Sequence, residues 1–416
     1  MQGPTELNQP ADLNSEAKTQ KTYRCDLWRG GFEGVLSSGA QTFCLFIAIR
    51  YFNAGENTKA LIAAAPFMGM FLSMVLLHYA SLTNWKKSTW GALPSLLTGV
   101  CLVLAAWTES LTQFACMVIA GYICRSALLP FVTDIYGDNY PPDKRATYFS
   151  KPLLLSVGVA ALSGFVGSWF LESDIKNYHW IFTFLGFCAI AKAFAIYSMP
   201  SKTVENTPHT HPFGNMKYVW LDKSFGYVLL TWFIMGFANL WTLPLRVDYI
   251  TAPEWGIEGS AIFVAMIITV IPETLRMLLI PYWASLFDRM NFVVLRMILN
   301  LFFGLGVLLF FVTSNPWVIG LGAGLIGAAF AGGSIAWNLW VTKYAPPGKT
   351  GAYMSVHVSL TGIRGTIGPI LGYWTVNQIG AQNIGILSCA MMFFATLMLI
   401  PEIKHGRNML LKGKSL

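Results

Sequence analysis

The chain of 416 residues is 55% hydrophobic and only 12% charged, about half the charged fraction of a typical soluble protein, with a formal net charge of +8. This composition excludes a soluble globular domain, because a core alone cannot absorb so much apolar surface, and it predicts an integral membrane protein. The basic residues lie in short loops between apolar stretches, which excludes a nucleic-acid-binding stripe.

Apolar stretches of about 20 residues recur along the chain, and each is long enough to cross a bilayer as a helix. They predict twelve transmembrane helices, over residues 27–52, 58–81, 88–107, 111–137, 147–171, 178–199, 224–247, 259–286, 291–313, 316–343, 352–377 and 383–401. The long polar connection in the middle divides six helices from six. The predicted organisation is a tail at 1–25, a six-helix bundle at 26–200, a linker at 201–223, a second six-helix bundle at 224–402 and a tail at 403–416.

Lys and Arg are distributed unequally between the two sides of this predicted bundle. The side that holds the N-terminus receives most of them, including Lys86, Lys87, Lys144 and Arg145. By the positive-inside rule, both termini are predicted to be cytoplasmic. The first 25 residues lack the apolar core of a signal peptide, and no N-x-S/T sequon occurs, so we expect a bacterial inner membrane.

A polar motif occurs twice. "NYPPDKRATYF" at 139–149 matches "YAPPGKTGAYM" at 344–354, and their equivalent positions are 205 residues apart. Pro66 and Pro272 are separated by nearly the same distance, 206 residues. Because both motifs follow an even number of helices, the two copies have the same orientation in the membrane. The repeat therefore predicts two parallel six-helix units.

Two parallel six-helix units joined by a long middle loop resemble the major facilitator superfamily, from about residue 26 to 402. The family's loop pattern Gly-x-x-x-Asp-Arg-x-Gly is matched in part by "ASLFDRMN", which contains Asp288 and Arg289. The first copy, "ASLTNWKK", has Asn84 in place of the acid. The resemblance implies an all-α fold of twelve helices and a conformational latch at Asp288 and Arg289. A solvated helix end with a positive-inside Arg is the alternative.

Four charged residues lie near the predicted membrane midplane, counting about 1.5 Å per residue from the helix ends. They are Arg125, Glu273, Arg276 and Arg364. Because a charge at a helix centre costs about 2.5–3.5 kcal/mol, such residues are candidates for a transport site. Glu273 and Arg276 are three apart, so we expect them to pair. A carboxylate beside a cation can carry a proton, and a static ion pair is the alternative.

For the other charged residues, a role in the cavity competes with internal pairing or with a position near the membrane surface. The resemblance places Arg125 on a cavity-lining helix, where it could bind a carboxylate or phosphate, or else pair internally with Glu33. We expect Glu33 to pair with Arg29 near the inner end of helix 1. Arg364 is expected to reach the cavity or to pair with Glu273. Snorkelling towards the membrane surface accounts for the remaining charges near helix ends, Arg50, Asp134, Lys151, Lys192, Arg246 and Asp248.

The resemblance also implies that helices 1, 4, 7 and 10 line a central cavity. Amides and aromatic rings there could bind a small organic molecule, although any Trp could instead be an interfacial anchor. The neutral candidates for substrate binding are Gln41, Asn239, Trp241, Trp337 and Asn338.

No metal, disulfide or cofactor is expected, because the seven cysteines show no ligand spacing, and His209 and His211 lack a third ligand. No catalytic His–acid pairing or glycine-rich phosphate loop indicates an enzyme. Three midplane arginines against one acid favour a transporter of a small anionic or zwitterionic organic solute, with proton coupling through Glu273. A lipid or amphiphile flippase and a non-transporting membrane receptor are the alternatives. The expected partners are the solute, the lipid bilayer and protons, without nucleic acid, and the protein is expected to be a monomer.

Overall fold

The computed structural model describes residues 10–141, 145–204, 214–345 and 350–405. These residues are almost entirely helical, and nine stretches among them are long and apolar enough to cross a membrane. The first six helices are α1 (Pro10–Ser38, a π-helical turn at Gly39–Phe43, and Cys44–Arg50), α2 (Glu56–Ser81), α3 (Lys87–Ala106), α4 (Leu111–Ala127 and Leu129–Asn139), α5 (Arg145–Ser173) and α6 (Tyr178–Tyr197).

A short helix at Tyr218–Leu221 leads into the second six helices. These are α7 (Lys223–Thr242 and Leu245–Thr251), α8 (Ala261–Ala265, a π-helical turn at Met266–Val270, and Ile271–Arg289), α9 (Phe292–Phe311), α10 (Pro316–Leu339 and Val341–Tyr344), α11 (Thr350–Ile379) and α12 (Ala381–Met398). Each of the twelve predicted spans overlaps one of these helices. We call the end of the bundle where α1 begins and α12 ends the tail end, and the opposite end the far end.

Helix α1 begins at Pro10, earlier than the predicted start at residue 27. Its polar first turns are held by the end of α4. Thr19 donates a hydrogen bond to the carbonyl of Asn139 over 2.7 Å, and the Asn139 amide donates to the hydroxyl of Thr22 over 2.8 Å. Hydropathy could not indicate this extension, because tertiary hydrogen bonds rather than apolar burial stabilise it.

The two halves of the chain, α1–α6 and α7–α12, pack in the same way. In the first half α1 contacts α5 and α6, α4 contacts α2 and α3, and α3 contacts α6. The same contacts recur in the second half between the helices six places later. Between the halves, α2 packs against α11 and α5 against α8. The predicted repeat of one helical unit in two halves is thus confirmed, and the helices are consistent with six in each half.

The equivalent tyrosines of the repeated motif, Tyr148 and Tyr353, each pack against an aromatic ring. Tyr148, at the start of α5, packs against Tyr23 of α1 with ring centroids 5.3 Å apart. Tyr353, at the start of α11, stacks on Tyr218 ahead of α7 at 4.9 Å. Residues 142–144 and 346–349 of the motif lie outside the described residues. In each half the motif's tyrosine thus contacts the first helix or the segment ahead of it, although the partner rings are not at equivalent positions.

Large apolar side chains are exposed on the outer surface of the bundle. In water such a surface would associate or aggregate, whereas hydrocarbon chains solvate it well. Examples on α5 and α6 are Leu162, Trp169, Phe184, Phe187 and Phe194. Their exposure supports a multi-pass membrane protein.

Glycines of α11 permit close packing on both of its sides. A Cβ atom on Gly365 would lie 2.2 Å from a ring carbon of Phe67 in α2. One on Gly372 would lie 2.5 Å from the carbonyl oxygen of Trp241 in α7. The glycine-rich segment of α11 therefore brings α2 of the first half and α7 of the second against the same helix.

Helices α3 and α6 also cross at two facing glycines. A Cβ atom on Gly99 would lie 2.7 Å from the carbonyl oxygen of Gly186, and one on Gly186 would lie 2.8 Å from that of Gly99. Each glycine thus lets the backbone of the other approach.

Replacing Gly99 by Ala is expected to destabilise the protein by about 1–3 kcal/mol, because the added methyl group overpacks this crossing. Gly137→Ala is the matched control, since a Cβ atom there meets no described residue within 4 Å. That change should stabilise α4 by about 0.5–1 kcal/mol, because alanine loses less backbone entropy than glycine in a helix. Thermal unfolding in detergent measures both variants. Equal unfolding temperatures would contradict the packing role of Gly99.

Candidate functional site

A cavity of about 280 Å³ lies between the two halves. Helices α1, α2 and α4 line it from the first half, and α7, α8, α9 and α10 line it from the second. Its volume is near the lower limit of the roughly 300–1,000 Å³ of small-molecule sites. The walls are mainly apolar, and their charged residues are Arg125, Arg246, Glu273 and Arg276. A site of this size suits a small organic solute with a few polar groups.

Arg125 belongs to a largely buried charge network that extends from the cavity wall into the first half. Its Nη2 atom donates to Glu33 of α1 over 2.5 Å, and the Nζ atom of Lys192 in α6 donates to the other carboxylate oxygen, also over 2.5 Å. The prediction that Lys192 snorkels was wrong, because α6 packs on α1 and leaves the lysine side chain only 2% exposed. One acid thus lies between two cations.

Arg29 does not pair with Glu33 in this structure. Its Nε atom donates to Asp26 over 2.5 Å, and Asp26 also accepts a hydrogen bond from Tyr136 over 2.5 Å. The predicted Arg29–Glu33 pair is therefore replaced by two separate networks on α1.

Arg246 lines the cavity from α7. Its predicted snorkelling was wrong, since the residue is only 5% exposed. The helix is interrupted at Leu243 and Pro244, and the turn places Arg246 inside the bundle. Its Nη2 atom donates to the side-chain oxygen of Asn239 over 2.7 Å and to Thr242 over 3.3 Å. Among the side chains that the structure describes, no carboxylate pairs with this guanidinium.

Glu273 and Arg276 form the predicted ion pair on α8. The Arg276 Nη1 atom lies 3.2 Å from a Glu273 carboxylate oxygen, and its Nη2 atom donates to Ser334 of α10 over 3.0 Å. Both residues line the cavity, directly after the π-helical turn and Pro272. The pairing prediction is confirmed.

The two π-helical turns meet beside the cavity. Thr42 in the turn of α1 and Thr269 in the turn of α8 share a hydrogen bond of 2.5 Å across the two halves. Ala40 and Ile267 from the same turns line the cavity. Such turns are frequent at functional sites, because they shift the helical hydrogen-bond pattern and re-aim side chains. Sequence periodicity did not reveal them.

Several other sequence candidates lie away from the cavity wall. Arg364 is buried in the second half, where it donates to the carbonyl of Trp232 and to Thr361, and it does not pair with Glu273. The Trp241 indole donates to Thr375 over 2.9 Å, and Trp337 packs against His357.

The remaining sequence candidates are Arg289, Asp288, Gln41 and Asn338. Arg289 is exposed at the end of α8. The side chains of Gln41, Asn338 and Asp288 lie outside the described part of the chain. The latch at Asp288 and Arg289 therefore stays a prediction.

The far end of the bundle is closed by polar contacts between the halves. Lys59 of α2 forms an ion pair with Asp248 of α7, which also accepts a hydrogen bond from Trp255 over 3.1 Å. Arg50 of α1 donates to the carbonyl of Gly259 over 3.2 Å. Asp248 is 2% exposed, so its predicted snorkelling was wrong.

The sequence matches the model of the Major Facilitator Superfamily over residues 34–363 and 253–414. The chain belongs to the major facilitator superfamily. It is accordingly a multi-pass membrane transporter and not an enzyme. None of the curated proteins matches its sequence significantly.

Solved structures of superfamily transporters share the fold. The nucleoside transporter NupG has a TM-score of 0.69 at 13% identity, covering 92% of this chain and 98% of that one. A D-xylose-proton symporter has a TM-score of 0.69 at 16% identity, with coverage of 92% and 96%. The human organic anion transporter MFSD10 (TETRAN) has a TM-score of 0.63 at 15% identity, with coverage of 94% and 100%. These likenesses establish the fold alone.

Proposed function

We propose that this superfamily transporter moves a small anionic or zwitterionic organic solute through the cavity by alternating access. The observation that carries the proposal is Arg246, a buried guanidinium on the cavity wall whose described hydrogen bonds go only to neutral oxygens. A buried charge is costly unless it is paired, and a guanidinium binds carboxylate or phosphate groups in a bidentate manner. The anionic group of a solute would supply the missing counter-charge.

The balance of charge around the cavity supports the same class of solute. Among the described residues three guanidinium groups line it, and two of them already have an acid, Glu33 for Arg125 and Glu273 for Arg276. Arg246 is left in excess. A fold that resembles an organic anion transporter is compatible with this assignment. Glu273, the acid on the cavity wall, would interact with the amine of a zwitterion.

Arg246→Gln is expected to weaken transport of an anionic solute by about 10- to 100-fold, because a hydrogen bond to a charged group contributes about 1.5–3 kcal/mol. Flux into proteoliposomes, measured for anionic, zwitterionic, neutral and cationic solutes of similar size, tests this. Arg24→Gln is the matched control, since Arg24 is exposed on α1. Unchanged apparent affinity for every anion in Arg246→Gln would refute the assignment.

We further propose that Glu273 carries the coupled proton. It is 5% exposed, faces the cavity and lies beside Arg276, so a solute that competes for Arg276 would change the free energy of its protonation. Such competition links solute binding to proton binding. The proton-coupled symporter among the similar structures is compatible with this mechanism.

Glu273→Gln is expected to abolish solute accumulation driven by a pH gradient while retaining downhill exchange of the solute, because the amide cannot release a proton. The two fluxes are measured side by side in proteoliposomes with and without a pH gradient. Glu109→Gln, at an exposed position, is the control. Normal pH-driven accumulation in Glu273→Gln would exclude Glu273 as the carrier.

In this scheme the protein works as a monomer in a bacterial inner membrane with both termini cytoplasmic. The far-end contacts close the cavity on the external side, and they separate when the solute is exchanged there. The alternation requires the halves to rock about the packed pairs α2–α11 and α5–α8.

A further inference from the structure

A cluster of cationic and aromatic side chains lies inside the second half, away from the cavity. Arg296 of α9 is 3% exposed and Arg364 of α11 is 5% exposed. The Arg296 guanidinium carbon lies 3.7 Å from the ring centroid of Trp232 in α7, and Arg364 donates to the carbonyl of the same residue. Two guanidinium groups from different helices therefore flank one tryptophan.

His357 and Trp340 complete this cationic cluster. The His357 ring, 1% exposed, lies 5.2 Å from that of Trp232 and 5.3 Å from that of Trp340. The histidine is within electrostatic reach of both guanidinium groups. The two guanidinium charges thus lie within electrostatic reach of each other in a small volume of low dielectric, where they repel.

No counter-charge is provided by the side chains that the structure describes. The hydrogen bonds of Arg364 go to the Trp232 carbonyl and to Thr361, and that of Arg296 goes to the sulfur of Met235 over 2.8 Å. None of these acceptors is ionised. A buried cation without an anionic partner is strongly unfavourable, and two close together are more so.

The cationic cluster also has more donors than acceptors. The Nε atom of Arg364 and the indole nitrogens of Trp232 and Trp340 are buried and have no hydrogen-bond partner in the described part of the chain, and neither does Nε2 of His357. Buried donors are almost always satisfied in native proteins. A ligand that accepts hydrogen bonds from several directions and carries negative charge would satisfy both deficits.

We propose that the cationic cluster binds one small monovalent anion, of the size of chloride. The enclosure argues for a small ligand, because all five side chains are almost inaccessible and a Cβ atom on Gly236 would lie 2.4 Å from the Arg364 guanidinium. The anion neutralises charge between α7, α9 and α11 and thereby stabilises the second half. None of these residues lines the cavity, so the assignment does not depend on the proposed solute.

The test uses the purified full-length protein in detergent, exchanged into sodium gluconate. Chloride or bromide is titrated in at constant ionic strength while the unfolding temperature is followed. The unfolding temperature of the wild type should rise and saturate with either halide. The double variant Arg296→Gln/Arg364→Gln should lose this saturable rise, whereas Arg24→Gln, at an exposed arginine, should keep it.

A second measurement covers the case in which the double variant fails to fold. Wild-type crystals grown in sodium bromide should show an anomalous scattering peak between the guanidinium groups of Arg296 and Arg364. The proposal is overturned if the wild type shows no saturable halide effect, if the folded double variant keeps the effect, or if the crystals show no bromide at the cluster.

Discussion

Replacing Glu33 by Gln is expected to destabilise the protein by about 3 kcal/mol, the lower end of the range for breaking a buried ion pair, because it leaves the buried Lys192 and the largely buried Arg125 without their shared acid, which is itself a quarter exposed. Arg125 and Lys192 each lie 2.5 Å from the Glu33 carboxylate, and their side chains are only 14% and 2% exposed. The introduced amide could still accept one hydrogen bond but would carry no charge. Reversible unfolding in mixed micelles measures the loss of free energy.

A second substitution separates the charge effect from a loss of packing. In the double variant Glu33→Gln/Lys192→Met one of the two cations is removed, and the methionine retains most of the apolar volume of lysine. At least half of the lost stability should return. Glu109→Gln, which removes an exposed acid, should leave stability nearly unchanged. A double variant no more stable than Glu33→Gln alone would show that the network does not act through charge.

Asp248→Asn is expected to open the far end of the bundle. The change leaves Lys59, 5% exposed, without its acid, and it removes the ion pair that joins α2 to α7. Breaking a buried pair costs about 3–5 kcal/mol, and about 1.4 kcal/mol corresponds to a factor of ten in a population ratio. The closed conformation should therefore lose about two to three and a half orders of magnitude in population relative to the open one.

Spin labels at Asn57→Cys on α2 and Gln378→Cys on α11 report the opening as a longer distance, in a background without the seven native cysteines. The charge exchange Lys59→Asp/Asp248→Lys should restore the shorter distance. Glu56→Gln is the control, because the contact of Glu56 with Asn377 is exposed and contributes little. An unchanged distance distribution in Asp248→Asn would show that this ion pair does not hold the far end closed.

The helical architecture could be predicted from the amino-acid sequence because each pass through the membrane requires its own apolar stretch. The offset between the repeated motifs was similarly sufficient for the parallel arrangement of the two halves. The Glu273–Arg276 pair could be predicted because both residues are on one helix, three positions apart. The helix spans, the repeat offset and the Glu273–Arg276 pair all depend on spacing along the chain, which can be read from the sequence.

Pairing between different helices could not be predicted in the same way. Lys192, Arg246 and Asp248 were assigned to the membrane surface by their distance from helix ends. Distance from an end does not show which way a side chain points around the helix, and all three point inward. For Arg246, Pro244 just before it was a usable signal, since a proline inside a span interrupts helical hydrogen bonding and can turn the next residues.

The equal packing of the two halves has a consequence for how the far end takes up water. A shift of 205 residues relates Lys59 of α2 to Val264 of α8, and Asp248 of α7 to Phe43 of α1. The junction of α2 with α7 is therefore ionic, whereas its equivalent between α8 and α1 has two buried hydrophobic residues at these positions and is joined by the hydrogen bond from Arg50 to Gly259. Water solvates separated ions well and apolar side chains poorly. Although the fold is nearly twofold symmetric, we expect the far end to hydrate first on the α2–α7 side, so that solute would enter from one side of the axis.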